Sequence, residues 1–301
     1  MPKSITTSPF MAEVMTALMN PMKQKPYKES SAKTAVSVLR SLGVTSIDDL
    51  RDKEKMDASL NKFAPSTRRN AIFTIVNVAK DMNRADIVRI WDEEKKAAEV
   101  RREVGVKTEK QEENWLEWKD IEDKRKELEV SARTFEQERQ LIVLSLYTLF
   151  PPRRNIDYTD MVVVYRMTKK TNMNYLVVNK YRMRFIFNVY KTSGAYERQV
   201  FDVPKDLRTA LLRFLKLRNW TDEVNPPLLG TGLHSNFITY TLNDIFAPKR
   251  ISSSMLRHIF ASSRYGGEEH QQVLAQMRDD ADKMAHSIGT QQLDYVKRHS
   301  S

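Results

Sequence analysis

The sequence contains no cysteine. That excludes disulfide frameworks, thiol nucleophiles and cysteine-ligated zinc together. Glycine is scarce, with 8 in 301 residues, and none of them builds a phosphate-cradling P-loop or a dinucleotide-binding fingerprint. No HExxH motif occurs, and His234, His258, His270, His286 and His299 show no metal-ligand spacing. No apolar run approaches the roughly 18 residues of a membrane helix, and no basic-then-apolar leader opens the chain. The expectation is an intracellular protein that works without membrane, metal or cofactor.

Positive charge is plentiful and unevenly placed. Residues 1–150 hold 27 Lys+Arg against 25 Asp+Glu, and residues 151–301 hold 23 against 14, so nearly all of the formal +11 lies in the second half. Clustered cations release counterions from a nucleic-acid backbone, which makes a polyanion one partner to consider. A generic basic surface is the other reading.

Residues 1–30 carry only a short apolar stripe (Phe10, Met11, Val14, Leu18) among Met, Pro, Ser and Thr, and are expected to form a flexible or loosely docked arm. Helical signals follow. Ser31 opens a helix that Gly43 stops, Ser46 precedes a second, and Pro65-Ser66-Thr67 opens a stronger one with Ile72, Ile75, Val76 and Ala79 on one face. A fourth carries Ile87, Ile90 and Trp91. Residues 107–131 are dense in both charge signs, with sparse anchors at Trp115, Trp118, Ile121 and Leu128, which suggests a solvated bridging helix. RQLIVLSLYTLF (139–150) is apolar all round and should be buried, and Pro151-Pro152 ends it. Strand-like runs occupy 161–166, 174–180, 184–190 and 198–204, the second and third with poor alternation. Ser193-Gly194 marks a hairpin turn between the last two. Leu207, Leu211, Phe214 and Leu215 then form one helical stripe. The expected fold is mainly α with a small antiparallel β-sheet (α+β).

Four short segments bring basic residues and one late tyrosine together: PPRRNIDY (151–158), VYKTSG (189–194), SMLRHIFAS (254–262) and AHSIGTQQLDY (285–295). In this order, with nine residues from His286 to Tyr295, they resemble the catalytic signature of the tyrosine recombinases, the phage-integrase-like family, across residues 139–295. The resemblance implies site-specific DNA cleavage and rejoining through a 3′-phosphotyrosyl intermediate, without metal or ATP. It implies Tyr295 as nucleophile, Arg154 and Arg257 as phosphate clamps, Lys191 as general acid and His286 as a donor to the phosphate. Arg153 is the alternate to Arg154, which is preferred because Asp157 lies three residues on. The chemistry suits those residue types. Arginines bind nonbridging oxygens as forked donors, a phenolate conserves the bond as an ester, and an ammonium protonates the leaving oxygen.

Two positions depart from the family pattern. Ser254 stands where a histidine usually precedes the second arginine by three residues, and the stretch from Arg257 to His286 is about six residues longer than usual. Either Ser254 supplies a weaker hydrogen bond there, or the role is lost or covered by another group. His258, about 100° round the helix from Arg257, is read as packing or buttressing. Taken singly, Tyr295 reads equally as a surface tyrosine and Lys191 as a guard of a hairpin edge.

The same resemblance divides the chain into an arm (1–30), a helical DNA-binding domain (31–105), a charged helical linker (106–131) and a catalytic domain (132–301). Lys33, Lys62, Arg68 and Arg69 are the candidate DNA contacts of the helical domain, with an ordinary solvated face as the equal alternative. The implied partners are double-stranded DNA and further copies of the chain, as a tetramer on two DNA sites. With six residues after Tyr295, self-assembly is expected through the 107–131 helix or the arm. Relaxation of DNA as by a type IB topoisomerase, and a catalytically impaired DNA-binding protein of the same fold, are the alternatives.

Overall fold

The computed structural model describes residues 8–24, 26–99, 106–166, 169–193, 197–217 and 225–283. The chain forms two compact units, residues 1–106 and 107–301. Neither contains, among the described residues, a helix long and apolar enough to cross a membrane.

The first unit is all-helical. Its elements are α1 (Pro9–Met19), α2 (Glu29–Ser41), a 3₁₀ turn (Ile47–Arg51), α3 (Lys53–Leu60), α4 (Pro65–Asp81), α5 (Ala85–Ile90) and α6 (Asp92–Glu99). Pro65 sits at the first position of α4, where its missing N–H costs no helical bond. α4 is the hub: α1, α2, α5 and α6 all pack on it, burying Ala71, Ile72, Ile75, Val76 and Ala79. Trp91 is fully buried, and its indole Nε1 donates to the Leu50 carbonyl at 2.8 Å, which satisfies the ring's one polar atom inside the core.

The segment expected to form a flexible or loosely docked arm is, in its described part, a helix docked on the core. Ser8 caps α1 by accepting from the Met11 N–H, and Met11, Val14 and Leu18 are buried in the same core as α4. The stripe is short because only three residues of one face need cover. A Lys23–Asp81 ion pair at 2.7 Å ties the segment after α1 to the end of α4.

The second unit begins with α7 (Glu109–Asn114) and α8 (Trp118–Ser131), followed by α9 (Phe135–Thr148) and α10 (Asn155–Thr159). Four strands come next: β1 (Val162–Val164), β2 (Tyr175–Val178), β3 (Met183–Phe187) and β4 (Gln199–Asp202). α11 (Lys205–Leu217), α12 (Phe237–Ile245), α13 (Ser253–Tyr265) and α14 (Glu268–Lys283) complete it. α9 starts at a capping box of Thr134 and Gln137, and its residues 141–147 are buried among α8, α11 and α12.

Residues 107–131 are part of this unit rather than a linker between units. Ile121 is fully buried, and Trp115, Leu116, Trp118 and Leu128 pack on the same core as α9. The Trp118 ring meets Phe260 edge-on at 5.1 Å, and Asn114 accepts from the Arg250 N–H at 2.6 Å. The mixed charges occupy the outer face as local ion pairs such as Lys126–Asp123 at 3.1 Å.

The sheet runs in the order β1-β2-β3-β4. β2, β3 and β4 pair antiparallel as expected, but β1 joins β2 in parallel, so the sheet is mixed. Poor alternation in β2 and β3 has a physical cause, since both faces are covered. Leu176, Phe185 and Phe187 face the main core, while Tyr175, Val177 and Ile186 form a second apolar cluster with Val162.

One local feature yields a pH-dependent test. The Thr45 and Ser46 N–H groups donate to Asp49 Oδ2 at 2.7 and 2.9 Å, and these bonds hold the carboxyl well below the usual carboxylate range. Its stabilisation is therefore present above the unfolded value of about 3.9 and is lost as pH falls below it. Asp49→Ala is expected to lower the unfolding free energy by about 1 kcal/mol at pH 7. In urea titrations, the gap to the unsubstituted protein should narrow as pH drops below about 4.

Candidate active site

The double proline after α9 turns the chain so that Arg153 and Arg154 precede α10. The two arginines then have different fates. Arg153 Nε donates to Asp157 Oδ2 at 2.7 Å and its Nη1 to Gln199 Oε1 at 3.0 Å. Its guanidinium lies 3.8 Å from the Phe187 ring centroid and 5.3 Å from that of Tyr190. Asp157 is buried, and burial pushes its carboxyl above the usual range while the Arg153 charge pulls the other way. Arg154 occupies the N-cap of α10, and its side chain makes no hydrogen bond or ion pair among the described residues.

The rest of PPRRNIDY anchors this turn. Asn155 accepts from the Tyr147 hydroxyl at 3.2 Å and donates to Thr239 Oγ1 at 2.8 Å. Tyr158 is fully buried, edge-on to Tyr147 at 5.8 Å. Burial raises the pKa of both phenols, so neither is poised as a phenolate nucleophile.

Arg257 reaches the same place from α13. Ser252 caps this helix by accepting from the Met255 N–H, and Ser253 is buried beside the Tyr147 hydroxyl, its hydrogen-bond partner. Arg257, half-buried, has no hydrogen-bond or ion-pair partner among the described residues. A cavity of about 200 Å³ is lined by Pro152, Arg153, Arg154, Asp157, Tyr190, Thr192, Gln199 and Arg257. Two elements distant in sequence thus bring two cations, unpaired among the described residues, to one small, polar hollow. With Arg153 neutralised by Asp157, the charge left facing it is that of Arg154 and Arg257.

Lys191 is exposed and lies between Tyr190 and Thr192, both of which line the cavity. Ser193 is described, and its N–H bonds to the Tyr190 carbonyl at 3.1 Å. Gly194 lies outside the described residues, as do His286 and Tyr295. Ser254 is exposed and does not line the cavity. His258 is exposed too.

The structure adds residues that the motifs do not flag. Tyr190, Thr192 and Gln199 complete the cavity wall, and Gln199 is 46 positions from its partner Arg153, too far for any local pattern. Asn174 is buried and uses its whole amide: it donates to the Asp157 and Val189 carbonyls and accepts from the Asn188 and Val189 N–H groups. No signal short of the fold itself singles it out.

In the first unit, Arg68 and Arg69 line a separate groove of about 830 Å³ with Asn61, Phe63 and Phe73. Arg69 sits 5.6 Å from the Phe73 ring centroid, and Arg68 is 3.7 Å from Asp57. Lys62 is exposed between Asn61 and Phe63, whereas Lys33 on α2 pairs with Glu29 at 2.6 Å and does not line the groove. No group of three or more His, Asp or Glu side chains arranged to hold a metal ion occurs among the described residues.

The unequal roles of the paired arginines predict unequal stabilities. Asp157→Ala strands a guanidinium that is only 16% exposed and is expected to cost about 3 kcal/mol of unfolding free energy. Arg154→Ala removes a side chain without a partner and should change it by no more than about 0.5 kcal/mol. Urea titrations of the two variants give the comparison.

No known protein-family model matches the chain, and no curated protein matches it. Among solved structures, the crystal structure of XerA recombinase is similar at 14% identity, covering 95% of this chain and 94% of that one, with a TM-score of 0.36. A likeness so distant carries no functional conclusion, which is left to the residues themselves.

Proposed function

We propose that the chain is a site-specific DNA recombinase that cleaves and rejoins DNA through a covalent 3′-phosphotyrosyl intermediate. The observation that carries this reading is the convergence of Arg154 and Arg257, both without partners, on one small polar cavity while Arg153 is neutralised by Asp157. A phosphodiester under attack accumulates charge on its nonbridging oxygens, and two forked donors held by separate elements stabilise that charge without reorganising.

In the proposed step, Tyr295 Oη attacks phosphorus and its phenolic proton leaves to solvent. The P–O5′ bond breaks, and Lys191 protonates the departing 5′-oxygen as the 3′-phosphotyrosyl ester forms. His286 donates to a nonbridging oxygen. The ester stores the energy of the broken bond, so a 5′-hydroxyl can reverse the step on the same or another strand without ATP. Lys62, Arg68 and Arg69, with Lys33, are proposed to contact the DNA backbone. The exposed Lys33–Glu29 pair is weak enough to open for a phosphate.

The test uses nicked duplexes that trap cleavage by losing the short strand beyond the break, drawn as a pool from the gene's own genetic neighbourhood. In the presence of a chelator, the protein is expected to form a denaturant-resistant DNA adduct that Tyr295→Phe abolishes. Arg154→Ala and Arg257→Ala should each slow adduct formation by about 100-fold or more. An adduct that survives Tyr295→Phe, or no adduct despite salt-sensitive DNA binding, contradicts the proposal.

A further inference from the structure

Arg153 stands beside the proposed clamp yet faces inward, and its contacts extend past the arginine box. One guanidinium engages Asp157 of α10 at 2.7 Å, Gln199 at the start of β4 at 3.0 Å and the Phe187 ring at the end of β3 at 3.8 Å, with the Tyr190 ring at 5.3 Å. Those last three residues bracket the turn that carries Lys191. A second, independent tie joins the same places. Asn174 binds the Asp157 carbonyl through Nδ2 at 3.0 Å and receives the Asn188 and Val189 N–H groups, both at 2.8 Å. The backbone leading into Lys191 is therefore fastened to α10, the element whose N-cap is Arg154.

We infer that Arg153 is a positioning residue, which fixes the turn bearing Lys191 relative to the Arg154–Arg257 clamp and makes no direct contact with the phosphate. The inference rests on the phosphotyrosyl reading for the acid role of Lys191, but the tie itself does not. Its chemistry needs arginine. A planar fork can bind a carboxylate and an amide in one plane while its face covers an aromatic ring, whereas the point charge of lysine retains the ion pair alone. Arg153→Lys therefore keeps the charge and loosens the turn.

Two measurements on the full chain test this, with Gln199→Ala run alongside as a variant that removes one bond of the tie and strands no charge. In hydrogen–deuterium exchange, Arg153→Lys is expected to speed exchange in peptides spanning 186–193, with a smaller change of the same sign in Gln199→Ala, while peptides from α9 and α11 stay unchanged. In single-turnover cleavage of an ordinary duplex, Arg153→Lys is expected to lose about 10- to 100-fold in rate with unchanged DNA affinity, a fraction of what a general acid contributes. On a duplex whose scissile 5′-oxygen is replaced by sulfur, the leaving thiolate needs no proton. There the defects of Arg153→Lys and Lys191→Ala should disappear, while that of Arg154→Ala persists. Unchanged exchange at 186–193, or a defect of Arg153→Lys that sulfur does not relieve, overturns the inference. A wild-type chain that forms no adduct on any duplex overturns the phosphotyrosyl reading and with it the acid role of Lys191, while the exchange result still reports separately on the tie.

Discussion

The buried ion pair between Arg153 and Asp157 is the interaction on which the site depends. Adjacent arginines would ordinarily compete for the same anion and repel one another. Here a carboxylate that is only 4% exposed takes up the first, and the second lines the cavity with no hydrogen-bond or ion-pair partner among the described residues. A buried pair of this kind adds little net stability, because desolvation offsets most of the Coulombic gain. What it supplies is discrimination between two residues of identical chemistry. Phe187 and Tyr190 reinforce that choice, their ring centroids lying 3.8 and 5.3 Å from the Arg153 guanidinium carbon.

Around that pair, the second unit arranges short elements on a long apolar one. α9 is buried along most of its length, so its end is a stiff platform from which Pro151-Pro152 launches the arginine turn. The segment between β3 and β4 lines the cavity through Tyr190 and Thr192, β4 through Gln199, and α13 through Arg257. Ser253, buried at the first turn of α13, and Asn155, at the first position of α10, meet at the Tyr147 hydroxyl. Burial pushes the pKa of that phenol up, and its hydroxyl links the two arginine-bearing elements.

Much of this plan is legible in the residues. Apolar stripes mark helices where α2, α4, α9 and α11 form, and the first arginine and the lysine segments fall on turns as their prolines and Ser193 suggest, but α2 starts at Glu29 with Lys28 as its N-cap, so Ser31 lies inside the helix rather than capping it. Other features are not legible, for definite reasons. Alternation along a strand carries no direction, so nothing in MVVVYR distinguishes the parallel pairing of β1 from an antiparallel one. The charges of α8 conceal how firmly a few anchors such as Ile121 and Trp118 can dock a helix. α1 presents only three buried residues, too few for periodicity to separate a docked helix from a loose arm. The choice between Arg153 and Arg154 depends on Gln199 and Phe187, which local sequence does not place nearby.

The proposed division of labour leaves Arg154 and Arg257 to bind an anion while Arg153 is held by Asp157. It can be tested without knowing the DNA site, by following the arginine Nε–Hε resonances of the full-length protein as diethyl phosphate is added. The account predicts that Arg154 and Arg257 shift together along one saturable curve, that Arg153 stays in place, and that Arg154→Ala removes the response of Arg257. A shift of Arg153 in step with added phosphodiester, or Arg154 and Arg257 responding independently or not at all, would contradict it.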